Sequence, residues 1–207
     1  NTFARDARPA LNASSDQNGI TVEFTLPELV VSTEEHNGVR YQAVGYAESG
    51  FTTEAGNPRI PVSRLMLGVP VDVNFHVEVI SATSETRLGY RLPPTPYRVP
   101  QTTRDLPHPR AGGATNSEDF QTLVDEWRED GDAYQKAASY YPQSLAQIVY
   151  EGTIRSQRVV YLELHPIQYQ AGSRSLKVYP RVVVRVHFTT PSLPSPLTPL
   201  PSRAQRA

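Results

Sequence analysis

The chain has 207 residues, 38% of them hydrophobic, enough to bury a substantial core, and all-β units of this size are often one domain. Its 20 Lys and Arg nearly balance 21 Asp and Glu, which argues against recognition of nucleic acid or anionic lipid by bulk charge. The absence of cysteine excludes disulfides, a Cys-based zinc site and a Cys nucleophile in this chain, and no apolar run approaches the roughly 18 residues of a membrane span.

Nineteen prolines, eleven tyrosines and a single methionine suit a loop-rich β protein better than a helical bundle. No signal-peptide pattern is present, and the chain begins at Asn1, as expected of a processed or cut polypeptide. Residues 1–19 are polar and close on the turn-like Asp16-Gln17-Asn18-Gly19, so they read as a flexible lead-in. Ile20, Val22, Phe24 and Leu26 then alternate and open the first strand. The chain stays extended over 29–32, turns at 34–38 and forms a second strand over 39–47, with Tyr41 and Ala43 facing away from Val44 and Tyr46. In Gly56-Asn57-Pro58-Arg59-Ile60-Pro61-Val62 two prolines remove ladder donors, which places the segment along a sheet edge or between sheets. A short apolar run over 65–70 follows. Val73, Phe75, Val77 and Val79 then alternate, leaving Asn74, His76 and Glu78 to solvent.

From Arg91 the periodicity stops. Residues 91–113 hold Pro93, Pro94, Pro96, Pro100, Pro107 and Pro109, a stretch too long for an ordinary connection and therefore expected to be an exposed, functional loop. Thr115-Asn116-Ser117-Glu118 reads as a capping box. Behind it Phe120, Leu123, Val124 and Trp127 sit at i, i+3, i+4 and i+7, which predicts a short amphipathic helix with Trp127 in the core. Asp130-Gly131-Asp132 is expected to end that helix, and a second turn to cover 133–139. Residues 140–188 are short alternating segments broken by Gly, Pro and Ser, the pattern of an antiparallel meander. There Val182, Val184, Val186 and Phe188 take one face, and Arg181, Arg185 and His187 the other. The Pro/Ser-rich residues 191–207 read as a linker and processing tail, which divides the chain into 1–19, a folded domain over 20–190, and 191–207.

The search for chemistry is mostly negative. There is no nucleophile elbow, P-loop, dinucleotide fingerprint, zinc-protease helix or EF-hand. His76 with Glu78, and Glu163 with His165, share strand faces at i, i+2 and are candidate metal ligands, though exposed strands carry such pairs routinely. Glu126, Glu129, Asp130 and Asp132 lack the ordered oxygen spacing of a calcium loop. Asn12-Ala13-Ser14 matches the glycosylation pattern, a match too common to weigh. No cofactor is expected, and the residues alone describe a non-enzymatic β-rich domain with a long exposed basic loop.

Tyr141-Pro142, Arg158-Val159-Val160-Tyr161-Leu162, His165-Pro166-Ile167-Gln168-Tyr169 and Leu176-Lys177-Val178-Tyr179, with the upstream 56–62 segment, resemble the propeptide of gingipain-like C25 cysteine peptidases. The resemblance implies a mainly β fold, an antiparallel, jelly-roll-like β-sandwich with one or two short helices and a long Pro-rich loop. It implies a non-catalytic prodomain of a secreted or envelope-associated bacterial peptidase, whose partner is the cognate cysteine peptidase catalytic domain. Such a prodomain assists folding, keeps the zymogen latent and is removed by cleavage after basic residues.

A prodomain can block a basic-specific peptidase by placing an Arg or Lys in its specificity pocket, where pairing with a carboxylate is strong. Arg98, Arg104 and Arg110 are the candidates in the loop. Arg104 ranks first because Asp105 would set a negative charge beside the developing oxyanion and make the bond a poor substrate. Arg203 and Arg206 are the candidate processing sites. Two other classes remain open: an adhesion or glycan-binding sandwich using Tyr90, Tyr97 and Tyr134, and a structural module of a secretion system.

Overall fold

The structure is a computed structural model, and it describes residues 8–100, 123–135 and 138–189. Among these, thirteen strands and one short helix follow in order. The first five strands are β1 (Ala10–Asp16), β2 (Gly19–Thr25), β3 (Val30–His36), β4 (Val39–Gly45) and β5 (Gly50–Phe51). β6 (Pro61–Gly68), β7 (Asn74–Leu88), β8 (Tyr97–Pro100), β9 (Leu123–Glu126) and helix α1 (Gly131–Gln135) come next. β10 (Ala146–Ile154), β11 (Gln157–Leu164), β12 (Ile167–Gln170) and β13 (Ser175–Thr189) complete the chain.

β13 is the spine of a five-stranded antiparallel sheet. Its second half pairs with β2, its first half with β12, and β7 runs along its other edge. A second sheet has the order β10-β11-β6-β5. The two pack face to face because both carry period-two apolar patterns. Val22 and Phe24 of β2 and Val182, Val184 and Val186 of β13 meet Leu67 of β6 and Val160, Leu162 and Leu164 of β11, each essentially buried. The alternation expected in β13 is observed. The architecture is the antiparallel β-sandwich that the resemblance implies.

A second core lies at one end, where Ile167 and Tyr169 of β12 and Leu176 and Val178 of β13 meet Val44 of β4, Ile60 and Leu92. This explains why both faces of β4 are buried: Val44 points into this core, while Tyr41 and Ala43 are covered on the opposite side.

Several expectations are corrected. Part of the supposed lead-in is a strand, since β1 pairs with β2 over seven registered residues through the Asp16–Gly19 turn, with every β1 residue exposed. Exposure hid it, because an edge strand that buries nothing carries no apolar alternation. The C-terminal third is not a meander. β10 and β11 belong to one sheet and β12 and β13 to the other, and the chain changes sheets at His165-Pro166, where proline cannot extend the ladder.

The predicted helix is overturned over 123–126, which is strand β9, paired with β8 through Tyr97↔Glu126, Arg98↔Asp125, Val99↔Val124 and Pro100↔Leu123. No β9 residue is buried, so the i, i+3, i+4 spacing had no apolar surface to serve, and long-range pairing prevailed over local pattern. Phe120 and the capping box lie outside the described residues. Asp130 does not end a helix but starts one, its Oδ1 accepting from the N–H groups of Asp132 and Ala133 at 2.9 and 3.0 Å.

Candidate functional site

The proline-rich stretch is not an exposed loop from its start. Leu92, Pro93, Pro94 and Thr95 are buried, docked antiparallel to the 56–60 segment. Arg59 N–H donates to the Pro93 carbonyl (2.8 Å), Thr95 N–H to Asn57 (2.8 Å) and Gly56 N–H to Thr95 (2.8 Å), and Pro58 and Pro94 form a bridge. Beneath, Thr52 Oγ1 donates to the Pro58 carbonyl (3.0 Å) and accepts from Ile60 N–H (3.0 Å), while Ile60 is 0% exposed in the second core. The Gly-Asn-Pro-Arg-Ile-Pro-Val motif therefore lies against the body as a pedestal, its prolines tolerated because side chains and carbonyls complete the pairing.

Above the pedestal stands the β8–β9 ribbon. Each strand is four residues long and pairs only with the other, and a lone two-stranded ribbon is marginal in water. What holds it is its base. Asp130 N–H, on the returning leg, donates to the Gly56 carbonyl at 2.9 Å. Gly56 has φ of +83° and touches both legs, for a Cβ there would overlap the Tyr97 hydroxyl and crowd Asp130 Cβ. The Arg128 guanidinium lies 4.4 Å from the Tyr97 ring centre, joining the legs again.

The returning leg also binds the β3–β4 hairpin. The Trp127 indole stacks on His36 with ring centres 3.6 Å apart and planes 8° from parallel, and the Trp127 carbonyl accepts from Asn37 Nδ2 at 2.8 Å. Arg59 donates to both Glu34 oxygens (2.8 and 2.9 Å), and His36 Nε2 lies 3.1 Å from Glu34 Oε2. The Arg59 guanidinium sits 5.0 Å from the Phe51 ring centre and 5.4 Å from that of Trp127. Glu129 accepts from the Tyr41 hydroxyl (3.0 Å) and from Arg91 Nε and Nη2 (3.1 and 2.8 Å). Burial, with the Glu129 carboxylate beside it, pushes the Tyr41 phenol up to about 12. Trp127 is thus half-buried against a hairpin, not a core residue of the sandwich.

Of the candidate inhibitory residues, Arg98 lies on β8, mostly exposed, 3.9 Å from Asp125. Arg104, Asp105 and Arg110 lie outside the described residues, as do the processing candidates Arg203 and Arg206. β8 leads into 101–122 and β9 leads out of it, so the described part of the site is the ribbon and its base.

The candidate metal pairs serve other ends. His165, 1% exposed, places Nδ1 2.6 Å from the Ser144 carbonyl and Nε2 2.9 Å from Glu163 Oε1, so both ring nitrogens are engaged. Glu163 also accepts from Arg64 Nε at 2.6 Å. Burial raises its carboxyl pKa, but the hydrogen bonds from His165 and Arg64 outweigh that and hold it below the ordinary value. His187 bonds Glu78 at 2.6 Å and stacks on His76, pinning the edge of β7 to β13. No cluster of three or more metal-ligating side chains suited to a metal ion occurs among the described residues. Nor do the three tyrosines make a platform: Tyr134 donates to the Leu92 carbonyl, Tyr97 is taken up at the ribbon base, and Tyr90 packs against the second core.

A family model for C25 propeptides (Propeptide_C25) matches residues 1–198. The chain belongs to the C25 propeptide family. This is a family of non-catalytic propeptides. Curated relatives include the Lys-gingipains HG66 and W83 of Porphyromonas gingivalis, each 24% identical over 194 residues, 90% of this chain. The chain spans about one tenth of their length. Among solved structures, one concerning zymogenic latency of gingipain K from Porphyromonas gingivalis aligns with TM-score 0.65 and 22% identity, over 91% of this chain and 96% of that one. A complex of the Porphyromonas gingivalis RgpB pro- and mature domains aligns with TM-score 0.66 and 19% identity, over 91% of this chain and 86% of that one. The chain shares its fold with these structures, and in it the motif segment of 56–62 is the footing of the ribbon.

Proposed function

We propose that this chain is the prodomain of a secreted or envelope-associated gingipain-like cysteine peptidase, keeping its catalytic domain latent and assisting its folding. The family match over residues 1–198 carries the reading, and the neighbours concerned with zymogenic latency and with a pro–mature complex support it. The ribbon supplies the physical means. It stands on a rigid footing, exposes Arg98 and leads into the segment holding Arg104-Asp105 and Arg110. A basic side chain from this region entering the specificity pocket pairs with a carboxylate there, and Asp105 disfavours attack at the bond after Arg104 by placing negative charge beside the oxyanion. Removal then follows cleavage after Arg203 or Arg206.

The test is inhibition of the C25 catalytic domain encoded in the same gene, assayed on basic and non-basic peptide substrates. The purified chain should inhibit cleavage of basic substrates, and Arg104→Ala should weaken that inhibition by about a hundredfold, the scale of a lost buried charge pair at an interface. Absence of both inhibition and complex would reject the prodomain reading; undiminished inhibition by Arg104→Ala would reject only the choice of residue.

A further inference from the structure

The ribbon poses a mechanical question. Two four-residue strands that pair only with each other cannot hold a direction by themselves. Gly56 fixes the ribbon's lower end to the pedestal through backbone bonds to Thr95 and Asp130, but hydrogen bonds at one end of a hairpin leave it free to tilt. A lateral contact is needed nearer the strands. Trp127, the residue next after β9, makes it.

We propose that His36 and Arg59 form a clamp for Trp127 and are positioning residues that set the direction in which the ribbon is presented to the peptidase. The role of the clamp at the peptidase rests on the prodomain reading; its existence in the free chain does not. Three contacts of different kinds converge on Trp127. The imidazole of His36 covers the indole face at 3.6 Å. Asn37 Nδ2 holds the Trp127 carbonyl at 2.8 Å, so backbone and ring are fixed by adjacent residues at the end of one hairpin. Arg59 approaches from the pedestal, its guanidinium 5.4 Å from the indole centre.

Glu34 makes these contacts one unit. It takes Arg59 on both oxygens and His36 on one of them, locking the two side chains in relation to each other. Among the described residues Arg59 Nε is a buried donor without a hydrogen-bond partner, a costly arrangement that an arginine chosen only for its donors would avoid. The side chain is placed for its planar faces, which lie against Phe51 and Trp127. The clamp thus ties the pedestal, the β3–β4 hairpin and the returning leg of the ribbon together one residue beyond β9. Preorganisation of this kind raises affinity by removing the cost of ordering the presented segment during binding.

Trp127 is the only tryptophan in the chain, so its emission reports the clamp alone. In the purified chain, His36→Ala should shift that emission to the red and make it about twofold more accessible to iodide quenching, while the unfolding midpoint of the sandwich moves little. Against the C25 catalytic domain of the same gene, the same variant should inhibit about tenfold more weakly, as lost preorganisation predicts. His36→Phe, which keeps an aromatic face but not the bond to Glu34, should restore both readouts in large part. Arg59→Lys keeps charge without planarity and should fall between. Trp127 as well protected in His36→Ala as in the wild type overturns the clamp. Trp127 freed with undiminished inhibition overturns the positioning role. A wild-type chain that does not inhibit overturns the prodomain reading and the positioning role with it, while the quenching result still decides the clamp.

Discussion

In the sandwich, Phe24, Leu162 and Val184 are each 0% exposed and meet across two sheets; in the ribbon every residue of β9 is exposed and, among the described residues, its two strands pair with each other alone. The first region is stabilised by apolar area removed from water, a force that needs volume but little direction. The second is held from its base by a left-handed glycine, a stacked indole and one carboxylate shared by Tyr41 and Arg91. Such contacts contribute less apiece, but they fix orientation. On the proposed prodomain reading, the body supplies stability and the ribbon a projecting element whose orientation is set before a partner binds.

That division can be broken from the body first. Leu162→Ala removes a fully buried side chain from the centre of the main core and should cost about 3 kcal/mol or more of unfolding free energy. Chemical denaturation measures it, and Trp127 emission in the folded variant should stay as in the wild type. A Trp127 signal that changes together with the core would show that the two regions are one cooperative unit.

Breaking the base comes next in size. Gly56→Ala forces a side chain into φ of +83° and into the Tyr97 hydroxyl, with Asp130 Cβ at 3.1 Å on the other side. The expected loss is about 1–3 kcal/mol, and Trp127, three residues before Asp130, should become more exposed to quencher. The opposite order of effects to Leu162→Ala, small on unfolding and large on Trp127, would establish that the ribbon opens separately.

An alkaline titration sharpens the comparison without steric damage. The folded state raises the Tyr41 phenol to about 12, above an unfolded value near 10. The contribution is therefore fully present below about pH 10 and is lost as the pH rises through about 12. Between those limits the wild type should lose stability more steeply than Tyr41→Phe. Because Tyr41 bonds Glu129, itself two residues from Trp127, the indole signal should change over the same interval. Equal slopes for the two proteins would mean that the Tyr41–Glu129 bond does not help hold the ribbon.

The same two physical regimes decided what was legible. Period-two burial announces itself, so β2 and β13 could be read from Ile, Val and Phe spacing, whereas β11 is buried on both faces and shows no such period. The 56–62 motif was recognisable as a family marker and as a segment along a sheet edge or between sheets, but its purpose depends on Pro93 and Thr95, far along the chain. β9 was misread because Leu123, Val124 and Trp127 sit at helical spacing while their partners, Tyr97–Pro100 and His36, are distant in sequence. β1 was missed because exposed strands leave no apolar trace. A stack between residues 36 and 127 has no local signal at all. The isolated tryptophan three residues before a helix-capping Asp-Gly was the one available hint of an anchored return.

The smallest expected effect separates structure from recognition. Arg98 is exposed on β8, and its Asp125 neighbour at 3.9 Å is beyond hydrogen-bond range, so the pair adds little to folding and Arg98→Ala should change stability by less than about 0.5 kcal/mol. Trp127 should report an unaltered clamp. Any loss of inhibition in this variant then measures contact with the peptidase and not displacement of the ribbon, a distinction that neither Gly56→Ala nor His36→Ala can make. A loss comparable to that of Arg104→Ala would put Arg98 in the specificity pocket or on its rim. A change mainly in association rate, erased by added salt, would make it a steering charge. Unchanged inhibition would remove Arg98 from the proposed contact and leave Arg104 and Arg110 as its candidates.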